Sequence, residues 1–100
     1  MIHELLAEGR ENARTGRELA TILGCDIRAV TLQIEQERRD GQPICAATGE
    51  NPGYYLAATP EELGRYCDRL KGRAIEVFKT RKALIDVLRK IEAEKQQQEA

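Results

Sequence analysis

Residues 15–34 read T-G-R-E-L-A-T-I-L-G-C-D-I-R-A-V-T-L-Q-I, a pattern that predicts two short helices joined by a tight turn. Ala20 is small enough to let the two helices approach each other closely. Gly24 can adopt the left-handed backbone conformation that ends the first helix. Val30 supplies an aliphatic side chain that packs the second helix on the first. Together these three residues indicate a helix-turn-helix.

The ends of both helices are marked by capping residues. Thr15 followed three residues later by Glu18 is a capping-box signature for the first helix, and Asp26 is a good N-cap for the second, which Gly41 ends. From the helical spacing we expect these apolar residues to face the core: Leu19, Ala20, Ile22, Leu23, Ile27, Val30 and Ile34.

Residues 41–56 read G-Q-P-I-C-A-A-T-G-E-N-P-G-Y-Y-L, which predicts two short strands around a turn at residues 48–52. The alternation of side chains along a strand puts Ile44 and Ala46 on one face. By the same rule Tyr54 and Leu56 share a face, so Tyr54 is predicted to enter the core and Tyr55 to lie at the surface. A helix-turn-helix followed directly by a β-hairpin is the winged-helix arrangement.

Four pieces of this region carry a resemblance to a known family: G-R-E-L-A-x-x-L-G, R-A-V-x-x-x-I, D-G-x-P-I and G-Y-Y-L. The chain from Gly16 to Leu56 resembles the winged helix-turn-helix domains of the biotin-ligase repressor and DeoR-like type. It departs from that pattern at Glu37, where an aliphatic residue is usual, and at Leu32, where a polar or basic residue is usual. The resemblance implies binding to duplex DNA.

In a helix-turn-helix the early, outward positions of the second helix meet the base edges. Arg28 could contact a guanine, and Thr31 could contact a phosphate or a thymine methyl group. Arg17 is well placed for a phosphate. The predicted DNA-binding residues are therefore Arg17, Arg28, Thr31, Gln33 and Gln36.

The charge distribution favours a second hypothesis. Residues 1–58 contain six Lys or Arg against nine Asp or Glu, whereas residues 59–100 contain ten against eight. A DNA-binding module needs cations that displace counterions from phosphates, and the predicted wing offers only Glu50 and Asn51. The alternative is a winged-helix module that binds a protein, with Leu32 as an apolar contact and no DNA binding.

The clearest helix start in the chain is T-P-E-E at residues 59–62, where Thr59 caps the helix, Pro60 suits its first position and Glu62 completes a capping box. The helical pattern continues to Lys95, with Gly72 as a weak point. A heptad stripe along it exceeds what a module of fewer than 60 residues can cover, so we expect a homodimer. Folding back in two pieces is the alternative. The predicted dimerisation residues are Leu70, Val77, Leu84, Leu88 and Ile91.

The remaining composition argues against an enzyme. The chain has no Ser, no Trp and one histidine, His3, and its three cysteines show no C-x-x-C spacing. We therefore expect no catalytic residues, no metal site, no cofactor and no small-molecule ligand. The cysteines are predicted to be buried apolar residues in a protein of the reducing cytoplasm. No apolar run is long enough to span a membrane, so no membrane association is expected.

The sequence thus predicts an α+β fold, mostly α. A winged helix-turn-helix with a β-hairpin wing occupies residues 1–58, a long C-terminal helix that serves as the dimerisation element occupies residues 59–95, and residues 96–100 form a frayed tail. The predicted function is that of a small dimeric DNA-binding protein and transcriptional regulator.

Overall fold

The computed structural model describes residues 1–99 and has a mostly helical α+β fold with one antiparallel hairpin. The chain divides into two compact units, one comprising Met1–Tyr66 and the other beginning at Cys67. In chain order the elements are a 3-10 turn at Ile2–Leu5, a second 3-10 turn at Arg10–Asn12, α1 at Gly16–Leu23, α2 at Ile27–Arg39, β1 at Ile44–Ala47, β2 at Gly53–Leu56 and α3 at Pro60–Glu99.

The predicted caps of α1 and α2 are confirmed. The Thr15 hydroxyl accepts a hydrogen bond from the backbone N–H of Glu18 at 3.0 Å, and the Asp26 carboxylate accepts one from the N–H of Ala29 at 2.7 Å. Gly24 ends α1 in the left-handed conformation, with φ 66° and ψ 36°. These contacts satisfy backbone groups that the ends of short helices otherwise leave unpaired.

One hydrophobic cluster joins the N-terminal segment, both short helices and the first strand. The prediction that Ile22, Leu23 and Ile27 face inward was wrong, because all three are exposed. They lie where the chain turns from α1 into α2, so only one face of each short helix is covered by the rest of the cluster. The buried members are Ile2, Leu6, Leu19, Ala20, Val30, Ile34 and Ile44.

The two faces of the hairpin are both covered. Strands β1 and β2 pair with Cys45 opposite Tyr55 and Ala46 opposite Tyr54. Tyr55, predicted to lie at the surface, is buried, while Tyr54 is only partly buried against the first cluster. The prediction failed because the first turns of α3 supply a second apolar surface. The resulting second cluster has four buried members: Cys45, Ala47, Tyr55 and Tyr66.

The segment before α1 runs along the outer side of β2. Isolated bridges join Glu8 to Leu56 and Arg14 to Tyr54. Gly53 has φ 131°, and a Cβ at this position would meet the backbone carbonyl oxygen of Arg14. The close approach of these two backbones therefore requires glycine at position 53.

Thr59 caps the start of α3 as predicted, but the return bond of Glu62 goes to the residue before the N-cap and not to Thr59 itself. The Thr59 hydroxyl accepts from the N–H of Glu62 at 3.1 Å, and the Glu62 carboxylate accepts from the N–H of Ala58 at 2.9 Å. The helix is unbroken at Gly72, so the alternative of two pieces is wrong for the described residues. It reaches Glu99, four residues beyond the predicted end at Lys95; Ala100 of the predicted tail lies outside the described residues.

Between residues 1 and 99 no helix carries an apolar stretch long enough to cross a bilayer.

Candidate functional site

The outer face of α2 presents a cationic side chain near its start. Arg28 is exposed, as is Arg17 in the first turn of α1. Neither side chain forms a hydrogen bond or an ion pair with any residue that the structure describes. Two guanidinium groups are thus available to an external acceptor, each with five donors and no acceptor of its own.

The other predicted contact residues have partners within α2. The Thr31 hydroxyl donates to the carbonyl of Ile27 at 3.1 Å, which leaves its oxygen free to accept. The Gln36 side chain donates to Asp40 at 3.1 Å. The Gln33 side chain donates to Glu37 at 2.9 Å. Gln33 and Gln36 would therefore lose a hydrogen bond if their amide groups turned to another acceptor.

Glu37, the departure from the aliphatic pattern, fixes the N-terminal segment to α2. Its side chain is fully buried and accepts hydrogen bonds from the backbone N–H groups of Ile2 and His3, each at 2.8 Å. The His3 ring and Gln33 complete the shell at 2.6 and 2.9 Å. Burial by itself would raise the pKa of this carboxyl, but the four hydrogen bonds outweigh it and lower the pKa from 4.5 to about 2.

Arg38 joins three elements of the first unit, and nothing in the sequence pattern singled it out. Its Nε donates to the carbonyl of Ile44 at 2.8 Å, and its Nη2 donates to the Tyr66 hydroxyl at 2.9 Å. The guanidinium also lies 5.1 Å from the centroid of the Tyr66 ring, a cation–π distance. Glu35 accepts from Nη1 at 2.7 Å. Arg38 is therefore committed to the fold.

A cationic side chain, that of Arg10, lies at the hairpin turn, where the sequence pattern did not predict one. The Arg10 side chain donates to the carbonyl of Thr48 at 2.9 Å and to that of Glu50 at 3.5 Å, across about 40 residues of sequence. Asn51 donates in return to the carbonyl of Glu11 at 3.4 Å. Only the pairing of the preceding segment with β2 brings Arg10 to this turn, so no local sequence signal could have indicated it.

Three of the acidic residues near α2 are already used within the fold. Asp26 caps α2, Glu35 pairs with Arg38, and Glu37 is buried among four donors. The count of nine acidic residues in residues 1–58 is therefore larger than the number of negative charges that this surface presents to a ligand. Arg28 keeps its charge unpaired on the same helix.

The same surface is also partly apolar. Leu32 is 62% exposed and lies one turn beyond Arg28 on α2. Ile22, Leu23 and Ile27 add further exposed aliphatic groups near the α1–α2 turn. Isolated exposed apolar residues are common in soluble proteins, but several around one turn are a feature of contact surfaces.

The five predicted dimerisation residues all lie on α3 and are exposed. A shallow groove on this helix has mainly apolar walls. Phe78 and Val87 are exposed beside it. The residues that line the groove are Val77, Thr80, Arg81, Leu84, Ile85 and Leu88.

The cysteines do not share one environment. Cys45 is buried, but Cys25 and Cys67 are exposed, so the prediction that all three are buried was wrong for two of them. Cys25 follows the glycine that ends α1, where the turn faces solvent, and Cys67 lies on the exposed side of α3. Among residues 1–99 no group of three or more His, Cys, Asp or Glu side chains could hold a metal ion.

Comparison of this chain with protein-family models, with curated proteins and with solved structures gave no match.

Proposed function

We propose that residues 1–58 form a winged helix-turn-helix module that binds duplex DNA, with α2 as the recognition helix. The observation that carries the proposal is the exposed, unpartnered guanidinium of Arg28 in the first turn of α2. In this class of module the N-terminal part of the recognition helix contacts the base edges. A guanidinium there can make a two-pronged contact with guanine. In a cell such a protein would act as a transcriptional regulator.

The remaining contacts would position the module on the phosphate backbone. Arg17 in the first turn of α1 is exposed and unpartnered within the described residues. Arg10 places a positive charge at the hairpin turn, which corresponds to the wing. Few cations are available in total, so we expect affinity that depends on salt less steeply than in a strongly basic winged helix.

The test is binding of the purified protein to random-sequence duplex DNA, measured by fluorescence anisotropy across a range of salt concentrations. With a selected preferred site, Arg28→Ala should cost about 1–3 kcal/mol and relax the sequence preference. Arg17→Ala should weaken binding to all sequences alike and reduce the salt slope by about one. Arg39→Ala is the matched control, because it removes the same charge from the last turn of α2, about 16 Å from Arg28 along the helix axis.

A second function is favoured by the exposed side chain of Leu32. An aliphatic group at this position gains nothing from phosphate, whereas it could be buried against a protein. If no DNA complex forms at low ionic strength while circular dichroism shows a folded helical protein, a protein-binding module replaces the DNA-binding one. Leu32→Asp would then abolish binding to the protein partner.

We also propose that the protein is a homodimer held by α3. The support is the exposed apolar stripe on that helix, which has no covering surface within the second unit as described. Sedimentation equilibrium at micromolar concentration should give twice the chain mass. A monomer at that concentration would contradict the proposed dimer and leave the DNA-binding proposal to its own test.

A further inference from the structure

The stripe on α3 has two alternating positions, here named the first and second seam positions. The first contains Leu70, Val77, Leu84 and Ile91. The second contains Ala74, Arg81, Leu88 and Lys95. Successive residues of the combined seam are four and then three apart, which is the spacing of a two-stranded coiled coil. The seam is therefore apolar at every first position and basic at alternate second positions.

We propose that two copies of α3 pair in antiparallel orientation through this seam. This inference rests on the proposed homodimer and specifies its geometry. The register sets each second seam position of one copy opposite a first seam position of the other, so that the two residue numbers add up to 165. The layers are then Ala74 with Ile91, Arg81 with Leu84, Leu88 with Val77, and Lys95 with Leu70.

The first argument is the composition of these layers. In the antiparallel register each basic seam residue faces a leucine, along which its aliphatic stem can lie while the charge reaches solvent. In a parallel dimer of the same seam Arg81 would face Arg81 and Lys95 would face Lys95. Like charges that meet in a partly desolvated seam are strongly unfavourable. The antiparallel orientation is the one that avoids them.

The second argument is charge complementarity beside the seam. Arg73 and Glu94 each precede a second seam position, and in this register they flank the same side of the interface. Lys71 and Glu92 each follow a first seam position and meet on the other side. All four side chains are exposed, and none forms an ion pair with another described residue of its own chain. Two-fold symmetry turns these two pairings into four.

The third argument is the uneven charge along α3. Between residues 69 and 82 there are six basic residues and one acidic residue, whereas residues 83–95 contain three acidic and three basic ones. A parallel dimer would set the strongly basic segment against itself. The antiparallel dimer sets it against the segment that carries Glu92 and Glu94. Between the charged pairs, Phe78 meets Ile85, which adds apolar contact at the middle of the interface.

Disulfide trapping distinguishes the two orientations. In a background with Cys25→Ala and Cys67→Ala, which removes both exposed thiols, the variants Val77→Cys and Leu88→Cys are prepared separately. Under mild oxidation a 1:1 mixture should give a disulfide between the two different variants, identified by mass. Each variant alone should give none, because residue 77 then has residue 88 opposite it, not another residue 77. Homodisulfides from both single variants would show a parallel dimer, and homodisulfides from only one would show a different register; either result would overturn the inference.

Charge exchange supplies a second measurement. Glu92→Lys with Glu94→Lys should weaken self-association at least about tenfold, because four attractive pairs become repulsive. Adding Lys71→Glu and Arg73→Glu to the same chain should restore the dissociation constant. Residues 71 and 92 are about 31 Å apart along one helix, so this rescue can act only between two chains. The matched control adds Arg89→Glu and Lys90→Glu to the Glu92→Lys, Glu94→Lys chain instead. These substitutions change the charge by the same amount away from the proposed pairs, so they should not restore the dissociation constant.

The outcomes separate the inference from the proposed function. Failure of rescue, with a dimer still present in sedimentation, would overturn the antiparallel register alone. A monomer would overturn the register together with the proposed dimer. DNA binding by residues 1–58 is measured independently of both.

Discussion

The imidazole Nδ1 of His3 donates a hydrogen bond to the Glu37 carboxylate across 2.6 Å. Because a carboxyl with a pKa of about 2 is ionised near neutral pH and can only accept, the proton of this contact lies on the ring nitrogen. The backbone N–H of His3 donates to the same oxygen at 2.8 Å. A single buried carboxylate on α2 therefore determines the position of the first residues of the chain.

The first prediction concerns acid stability. The pKa of Glu37 is lowered from 4.5 to about 2 in the folded protein. Its contribution to the free energy of unfolding is thus complete above about pH 4.5 and is lost as the pH falls towards 2. The shift corresponds to about 3 kcal/mol. Glu37→Gln should lower the free energy of unfolding by about this amount at pH 7, and the difference from the unchanged protein should close towards pH 2.

Urea unfolding followed by circular dichroism, repeated between pH 2 and 7, measures this difference. Glu35→Gln is the control two residues earlier on the same helix, since its ion pair with Arg38 is half exposed and should contribute less than about 1 kcal/mol. A difference between Glu37→Gln and the unchanged protein that stays constant with pH would contradict the prediction.

Glu37 also shows where sequence inference stops. The helical period that includes Val30 and Ile34 places residue 37 on the covered side of α2. The backbone N–H groups that donate hydrogen bonds to its carboxylate lie 34 and 35 residues earlier in the chain. The caps at Thr15, Asp26 and Thr59 could be predicted because each bond spans only three residues. Arg10 at the hairpin turn was missed for the same reason as the partners of Glu37.

The two tyrosines of β2 show the same limit of sequence inference. Alternation distinguishes a covered face from an open one only when one face meets solvent. Here Tyr54 packs against the helical cluster and Tyr55 against Tyr66 of α3, so both sides of β2 are apolar. The packing of the start of α3 on the hairpin is a tertiary property, so the strand pattern alone wrongly predicted that Tyr55 lies at the surface.

The second prediction tests the approach of β2 to the segment before α1. Gly53→Ala should lower the free energy of unfolding by more than about 2 kcal/mol, because its Cβ would meet the Arg14 carbonyl and φ is positive. Gly72→Ala is the matched control on α3, where a Cβ meets nothing within 4 Å. It should instead stabilise the helix by up to about 1 kcal/mol. Thermal melts of both variants measure these changes in stability. Equal changes in the two variants would contradict the close approach of β2 to the segment before α1.

The third prediction concerns the guanidinium of Arg38. Arg38→Lys should destabilise the protein by about 2 kcal/mol, because an ammonium cannot reproduce a fork that contacts both Ile44 and Tyr66. Tyr66→Phe retains the ring beneath the charge and removes the hydrogen bond that the Tyr66 hydroxyl accepts from Arg38, so it should cost about 1 kcal/mol. Chemical denaturation measures both changes. A larger loss in Tyr66→Phe than in Arg38→Lys would show that the guanidinium is not the main link.

The fourth prediction uses the three thiols as probes of local opening. Cys25 and Cys67 are exposed and should react with a thiol reagent at rates close to those of a small free thiol. Cys45 is buried in the second cluster with Tyr55 and Tyr66, so its labelling requires that the hairpin separate from the start of α3. Labelling followed by peptide mass spectrometry should therefore show two fast sites and one slow site.

Because Gly53→Ala weakens the hairpin, it should accelerate labelling of Cys45 and leave the rates of Cys25 and Cys67 unchanged. If all three react equally fast in the folded protein, the second cluster does not protect Cys45 as the structure requires.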